Sequence, residues 1–319
     1  MSIELHCHTL FSVDGRGTPE AAVDAAAARG VAAISVTEHN HLGSLQRAAA
    51  RAGELGMRYF AGIELDARFG ERHYHFLGYG FDPCDDALHR LAARNHACYP
   101  RRFEVFFGKL LEAGCPFPRE EFDSFLLRRY PTLPSPVPNT WAWKDFVEQK
   151  GGCAGYEEMN RQAQEWLAAQ MRRAAQDAAQ GGAAANTAPP PEGLEFCRFE
   201  EVRDAIHAAG GLVLFAHPGK ALPRNPDAQD EMVRAAMAEG ADGFELYHWA
   251  NRSQGDFGRL ERLAQELDCV VSGGSDCHDA PGTAPKAIGT CGAPDETADR
   301  LAEALSAANS RRAGISPPT

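Results

Sequence analysis

Twelve histidines are spread through the 319 residues, and several stand where an apolar run ends. The chain begins Ile3-Glu4-Leu5-His6-Cys7-His8, with Asp14 six residues further on in a glycine-containing loop. Alternate residues of an extended strand point to the same side, so His6 and His8 offer two imidazoles to one point. The theme recurs in Ile34-Ser35-Val36-Thr37-Glu38-His39, Phe60-Ala61-Gly62-Ile63-Glu64, Leu214-Phe215-Ala216-His217 and Ser272-Gly273-Gly274-Ser275-Asp276-Cys277-His278. His75 joins the set from within a strand. Burying such groups unpaired costs several kcal/mol each, so their collection at one rim predicts bound metal. Imidazole and carboxylate donors without thiolate suit zinc, manganese or iron. Cys7 and Cys277 alternate with the ligand-type residues and read as small core side chains.

Positioning these groups requires a repeated strand–helix unit. Residues 1–80 alternate strand and helix. Thr18 suits an N-cap, Pro19 the first helical position, and Gly30 the C-terminal turn. Strand 31–37, a helix over about 43–55 and strand 57–63 come next. A hairpin then turns through Arg68-Phe69-Gly70-Glu71 and returns as 73–79. From 196 the rhythm resumes, with helices 199–209, 228–239 and 256–267 and strands 212–216, 242–247 and 269–273. Such alternation predicts a parallel sheet closed into a barrel, with functional groups at the C-terminal ends of the strands.

Residues 84–195 break that rhythm and read as an inserted helical subdomain or lid. Helical periodicity covers 85–114. Pro131, Pro134, Pro136 and Pro138 punctuate the next stretch, and a polar helix covers 156–179. The segment near 180–193, rich in Gly, Ala and Pro, has the composition of a flexible linker. The domain boundaries are therefore 1–83 with 196–319 for the barrel and 84–195 for the insertion.

The formal charge of −12 argues against a broad basic surface for long nucleic acid. It leaves an anionic substrate open, because bound cations reverse the local charge. Nine scattered cysteines fit reduced thiols rather than a disulfide framework. With no long apolar run and no leader pattern, the expected location is the cytoplasm, without a membrane partner. His41, His73, His89, His96 and His207 read as ordinary structural histidines. His248 closes another strand, and Lys220 comes soon enough after Ala216-His217-Pro218-Gly219 to reach the rim. Trp141 and Trp143 alternate on a piece read as extended, where they either stack a base or fasten the insertion.

The series His6-Cys7-His8, Asp14-Gly15, Thr37-Glu38-His39-Asn40, Gly62-Ile63-Glu64, His75, Ala216-His217-Pro218-Gly219 and Gly274-Ser275-Asp276-Cys277-His278 resembles the PHP (polymerase and histidinol phosphatase) family. The resemblance covers 1–82 and about 196–290. Gly243-Phe244-Glu245-Leu246-Tyr247-His248 is most similar to the branch of small phosphoesterases acting on nucleotide 3′,5′-bisphosphates and short RNA 5′ ends. The resemblance implies an α/β fold, a distorted (β/α)7 barrel with a largely helical insertion, and three divalent metals. One metal takes His6, His8, Glu64 and Asp276. A second takes Glu64, His75 and His217, with Glu64 bridging. A third takes Asp14, His39 and His278. Glu38 stands where the family usually has Asp, and is expected to orient a ligand histidine from behind. The related branch uses arginines of the insertion for phosphate, which points to Arg101 and Arg102, and to Arg102 first.

Three divalent ions less three carboxylates leave about +3 at the site. The expected reaction is phosphomonoester hydrolysis by metal-activated hydroxide attack on phosphorus, most readily of a small nucleotide such as a 3′,5′-bisphosphate. His248 either protonates the leaving group or orients a neighbour. Lys220 and Arg102 are the candidates for contacting phosphate. The alternatives are histidinol phosphate, a cyclic phosphate, an amidohydrolase-type reaction on a non-phosphate substrate, and a barrel kept as a binding module.

Overall fold

Local signals place the first elements where the residue types demand. In the computed structural model, which describes residues 2–130, 133, 136–179 and 193–312, β1 (Ser2–Glu4) leads through the loop that carries His6, His8 and Asp14 to α1 (Pro19–Ala28). Thr18 accepts the Ala21 N–H at 3.1 Å, and Pro19 takes the first helical position. Gly30, at φ +69°, turns the chain out of the helix. Then come β2 (Val31–Ile34), α2 (Leu45–Glu54), β3 (Arg58–Tyr59), β4 (Gly62–Phe69) and β5 (Arg72–Tyr79). Next are α3 (Asp86–His96), α4 (Cys98–Glu112), α5 (Arg119–Arg129), α6 (Thr140–Gln149) and α7 (Tyr156–Ala179). The chain continues with α8 (Phe199–Ala208), β6 (Leu212–Phe215), α9 (Pro218–Ala221), α10 (Pro226–Ala238), β7 (Gly243–Tyr247), α11 (Trp249–Ser253), α12 (Phe257–Leu267), β8 (Val270–Gly273) and α13 (Glu296–Arg312).

The strands form two sheets rather than one closed ring: β1-β2-β3, and β4-β5-β6-β7-β8. The first sheet is parallel. In the second, β4 and β5 form an antiparallel hairpin, β6 runs antiparallel to β5, and β6, β7 and β8 are parallel. The expected seven-stranded barrel is not seen, because the two sheets do not close on each other, whereas the hairpin expected at 68–71 is present, its tight turn at Gly70 making β4 and β5 antiparallel. The sheets meet through isolated bridges, Cys7 with Cys277 and His39 with Glu64, both beside ligand-type residues. Strand 31–37 is likewise shorter than its sequence suggests. Past Ile34 the chain makes single bonds, Ser35 N to Glu4 O at 2.8 Å and Thr37 N to Cys7 O at 2.9 Å.

The chain divides into two compact units, Met1–Ala93 with Cys197–Thr319, and Arg94–Phe196. The first unit packs Ile63, Leu65, Phe76, Val213, Phe215 and Phe244 into its core. The second packs Phe103, Phe106, Phe122, Trp143 and Phe146. Trp141 and Trp143 lie on α6 rather than on an extended piece, because Asn139 accepts the Ala142 N–H at 2.8 Å and starts a helix there. Trp143 is fully buried, while Trp141 is 45% exposed and meets Tyr99 edge to face. The linker composition near 180–193 falls, apart from Gly193, outside the described residues, as do Pro131 and Pro134.

Candidate metal centre

Past the ends of β1, β2, β6 and β8, and along β4 and β5, nine side chains from five chain segments converge. Nε2 of His6 lies 3.2 Å from Nε2 of His8. Glu64 Oε2 is 3.1 Å from the first and 3.2 Å from the second. Asp276 Oδ1 completes the group at 3.6 and 3.4 Å. The other Glu64 oxygen, Oε1, faces His75 Nδ1 at 2.8 Å and His217 Nε2 at 3.0 Å. Glu64 thus divides the imidazoles into two sets, one per oxygen. His278 Nε2 lies 3.1 Å and His39 Nε2 3.8 Å from Asp14 Oδ2. His39 also turns Nδ1 to Glu64 Oε2 at 3.2 Å, so this third group touches the first. Two of the nine residues owe their aim to unusual backbone: His217 at φ +30° and Asp276 at φ +54°. A side chain in that region costs about 1–3 kcal/mol, which persists only where the surroundings impose it.

The hydrogen bonds behind these atoms fix the tautomers. Ser12 has one hydroxyl proton, given to Glu38 Oε2 at 2.7 Å, and it accepts the His39 N–H at 2.9 Å. His8 Nδ1, 3.0 Å from the same oxygen, must therefore be the donor, which leaves Nε2 a bare lone pair. His6 Nδ1 donates to Glu245 Oε1 at 2.9 Å, with the same result for its Nε2. His278 Nδ1 donates to the Asp276 carbonyl at 2.9 Å. Two bare nitrogens and two carboxylate oxygens around one point repel each other unless a cation lies between them.

Several buried polar atoms here find no hydrogen-bonding partner in the protein: Asp14 Oδ1, His39 Nδ1, His217 Nδ1 and Asp276 Oδ1. Such atoms are rare in folded proteins, and their clustering fits metal coordination. The ionisation preferences agree. Burial would raise Glu64, but the facing His6 and His39 hold it well below the usual carboxylate range. Burial would likewise raise Asp276, which Lys220 and His278 pull down. Burial lowers His8, yet hydrogen bonds to Asp276 and Glu64 push it up to about 9. Burial similarly opposes His75, which Glu64 and Asp66 raise to about 10. The carboxylates demand positive charge, and without metal they draw protons onto the imidazoles.

This geometry agrees with the comparison to known proteins. Residues 4–112 match the family described as PHP domain. Over that stretch, about a third of its length, the chain is similar to PHP-domain proteins. It is similar to the 3′,5′-nucleoside bisphosphate phosphatase of Chromobacterium violaceum, with 27% identity over 297 residues, 90% of each chain. A 5′-3′ exoribonuclease of Haemophilus influenzae is 25% identical over 278 residues, 86% of this chain and 89% of that one. The fold resembles that of a protein described as a metal-dependent phosphoesterase from Bifidobacterium adolescentis, with a TM-score of 0.66 and 24% identity over 93% of this chain and 94% of that one. These likenesses, with the cluster of histidines and carboxylates, support a metal-dependent hydrolase.

All nine metal-binding candidates of the PHP pattern stand together in the first unit. Lys220 Nζ lies 2.6 Å from Asp276 Oδ2, with its side chain 35% exposed. His248 is fully buried, and its Nδ1 accepts the Ala250 N–H at 3.1 Å. Arg102 belongs to the second unit, where its Nε donates to the Leu194 carbonyl at 2.7 Å and its guanidinium covers the Phe196 ring at 3.5 Å. Glu38 acts through Ser12 on His8, the orienting position expected of it. Of the histidines read as structural, His207 pairs with Asp242 at 2.8 Å and His89 with the Pro83 carbonyl at 2.8 Å.

Four supporting residues are not singled out by the sequence pattern. Glu245 orients His6 and accepts the His217 N–H at 3.0 Å. Asp66 Oδ1 faces His75 Nε2 at 3.4 Å, and its other oxygen takes a 2.6 Å hydrogen bond from Asn40. Glu4 accepts the Ser275 and Gly289 N–H groups, both at 2.7 Å, and so fastens the loop carrying Asp276. Ser12 joins Glu38 to His8. A signal existed for two of them, because Asp66 lies two residues beyond Glu64 and Glu4 two before His6, on the same strand faces.

Proposed function

We propose that the chain is a phosphoesterase for small phosphomonoesters, with nucleotide 3′,5′-bisphosphates as the preferred class. The observation that carries this reading is the division of Glu64, one oxygen toward His6 and His8 and the other toward His75 and His217. A carboxylate so placed suits two adjacent cations. One would rest on His6, His8, Glu64 and Asp276, the next on Glu64, His75 and His217, and a third on Asp14, His39 and His278. Divalent manganese, zinc or iron held there would supply an ionised water near neutral pH and stabilise charge on phosphoryl oxygens.

The chain's own residues do the rest. Glu245, Ser12 with Glu38, and Asp66 hold the imidazoles in aim. Lys220 gives the rim a partly exposed ammonium for an anionic substrate. Arg102 is the candidate for a second phosphate. The bisphosphate preference rests on the Chromobacterium relative. The Haemophilus relative favours a second reading, removal of nucleotides from the 5′ end of short RNA.

The test is phosphate and nucleotide release by the manganese-loaded protein from a panel: adenosine 3′,5′-bisphosphate, adenosine 5′-phosphate, 5′-phosphorylated short RNA, histidinol phosphate and a cyclic phosphate. Selective phosphate release from the bisphosphate, absent in His8→Ala, is the expected result. Mononucleotides from the RNA with the bisphosphate untouched would establish the second reading. No release from any ester by metal-loaded protein would overturn both.

A further inference from the structure

Among the three ligand carboxylates Asp14, Glu64 and Asp276, it is Asp276 whose two oxygens meet different kinds of partner. Oδ1 looks toward His6 Nε2, His8 Nε2 and His278 Nδ1, at 3.6, 3.4 and 3.7 Å, and accepts no hydrogen bond. Oδ2 takes the Lys220 ammonium at 2.6 Å and faces His248 Nε2 at 3.5 Å. The Ala250 N–H occupies His248 Nδ1, so the proton of the neutral ring must sit on Nε2, which lies 3.5 Å from Asp276 Oδ2 and makes no hydrogen bond in the protein.

Both donors are carried by one locked piece of backbone. Lys220 lies on α9, directly after the left-handed His217, and its N–H bonds the His217 carbonyl at 2.9 Å. Gly219 sits so close to the α11 turn that a Cβ would come within 2.6 Å of the Ala250 carbonyl. Its N–H donates to Asn251 Oδ1 at 2.8 Å, and Asn251 donates to the carbonyls of Glu245 and Leu246 at 2.8 and 2.9 Å. The turn bearing Lys220, the turn after His248 and the end of β7 therefore move as one.

We propose that Lys220, which occupies Oδ2 of Asp276, and His248, whose Nε2 backs the same oxygen without hydrogen-bonding it, are positioning residues, so that this carboxylate can offer a metal only Oδ1. A carboxylate free to use both oxygens would take two coordination places. Held to one, it leaves a place on the ion for water or substrate. The inference rests on the metal reading of the centre, and it is independent of which ester is cleaved.

Cobalt(II) is the probe, because its visible absorption weakens as coordination number rises. Lys220→Met and His248→Ala should each weaken the cobalt band, and should change cobalt affinity by about 10–100-fold, more for Lys220→Met. Lys220→Arg and His248→Gln, which keep a donor, should stay near the parent. If Lys220→Met folds poorly, Lys220→Ala takes its place. An unchanged cobalt spectrum and affinity in the Lys220 variants, with only the KM for ester raised, would overturn the proposal and leave Lys220 a substrate contact alone. Failure of the phosphoesterase reading would show instead as no turnover in the parent, with the cobalt readout intact.

Discussion

Two interiors in this chain are equally dry and chemically opposite. In the first unit His6, Glu64, Glu245, His248 and Asp276 have no exposed surface. In the second, Phe103, Phe106, Phe122 and Trp143 are just as hidden, with ring centroids such as Phe103–Phe122 at 4.9 Å and Phe122–Trp143 at 5.2 Å. An aromatic core is stabilised by burial itself, about 1.5–3 kcal/mol for each large side chain. A core of charges is stable only when every lone pair and proton has a counterpart. The second interior is therefore self-sufficient, whereas the first stays incomplete until cations arrive. The difference separates what metal and pH can touch from what they cannot.

The sharpest way to break this contrast is Glu64→Ala. It should reduce hydrolysis to background and remove metal from more than one position, read by elemental analysis. The melting of the second unit should stay where it was. The mirror experiment is Trp143→Ala, expected to lose about 3–5 kcal/mol from the second unit with metal content unchanged. Calorimetry beside elemental analysis checks both, and a variant that loses both properties would show the interiors to be coupled. A smaller effect is expected from Glu245→Gln, which keeps the shape but weakens the hold on His6. Metal affinity should fall about 10–100-fold, measured by chelator competition.

The smallest effect separates the interiors by pH. Without metal, burial lowers His8 and His75, but their carboxylate neighbours raise them to about 9 and 10. At pH 7 both carry protons that must leave before the nitrogens can bind metal, so affinity should rise with pH until those values are passed. Calorimetric titration in buffers of different ionisation enthalpy reads the released protons. No proton release at pH 7 would sink this account.

Much of this centre was legible because a ligand at a strand's end interrupts an apolar run. His6 with His8 and Asp276 with His278 show in addition the two-residue spacing. Glu245 was hidden for the opposite reason. It is one acid inside Gly243-Phe244-Glu245-Leu246, and nothing local says that its partner is His6, far away in sequence. Ser12 was harder still, because a loop serine has no periodicity, and its role depends on three neighbours arriving from elsewhere. The parallel rhythm of strands and helices and the β4–β5 hairpin were readable, but not that this antiparallel pair forms one edge of a separate, open second sheet. Trp141 and Trp143 misled because alternation suggests a strand, while the nearby Asn139 cap settles on a helix.

His217 and Asp276 hold their side chains toward the centre from a left-handed backbone, a conformation that glycine adopts freely and that costs a residue with a Cβ. Apart from function, selection for stability alone would replace His217. The metal-free His217→Asn protein should be more stable than its parent by about 1 kcal/mol, checked by denaturant titration. A lineage released from its chemistry would drift at this position first.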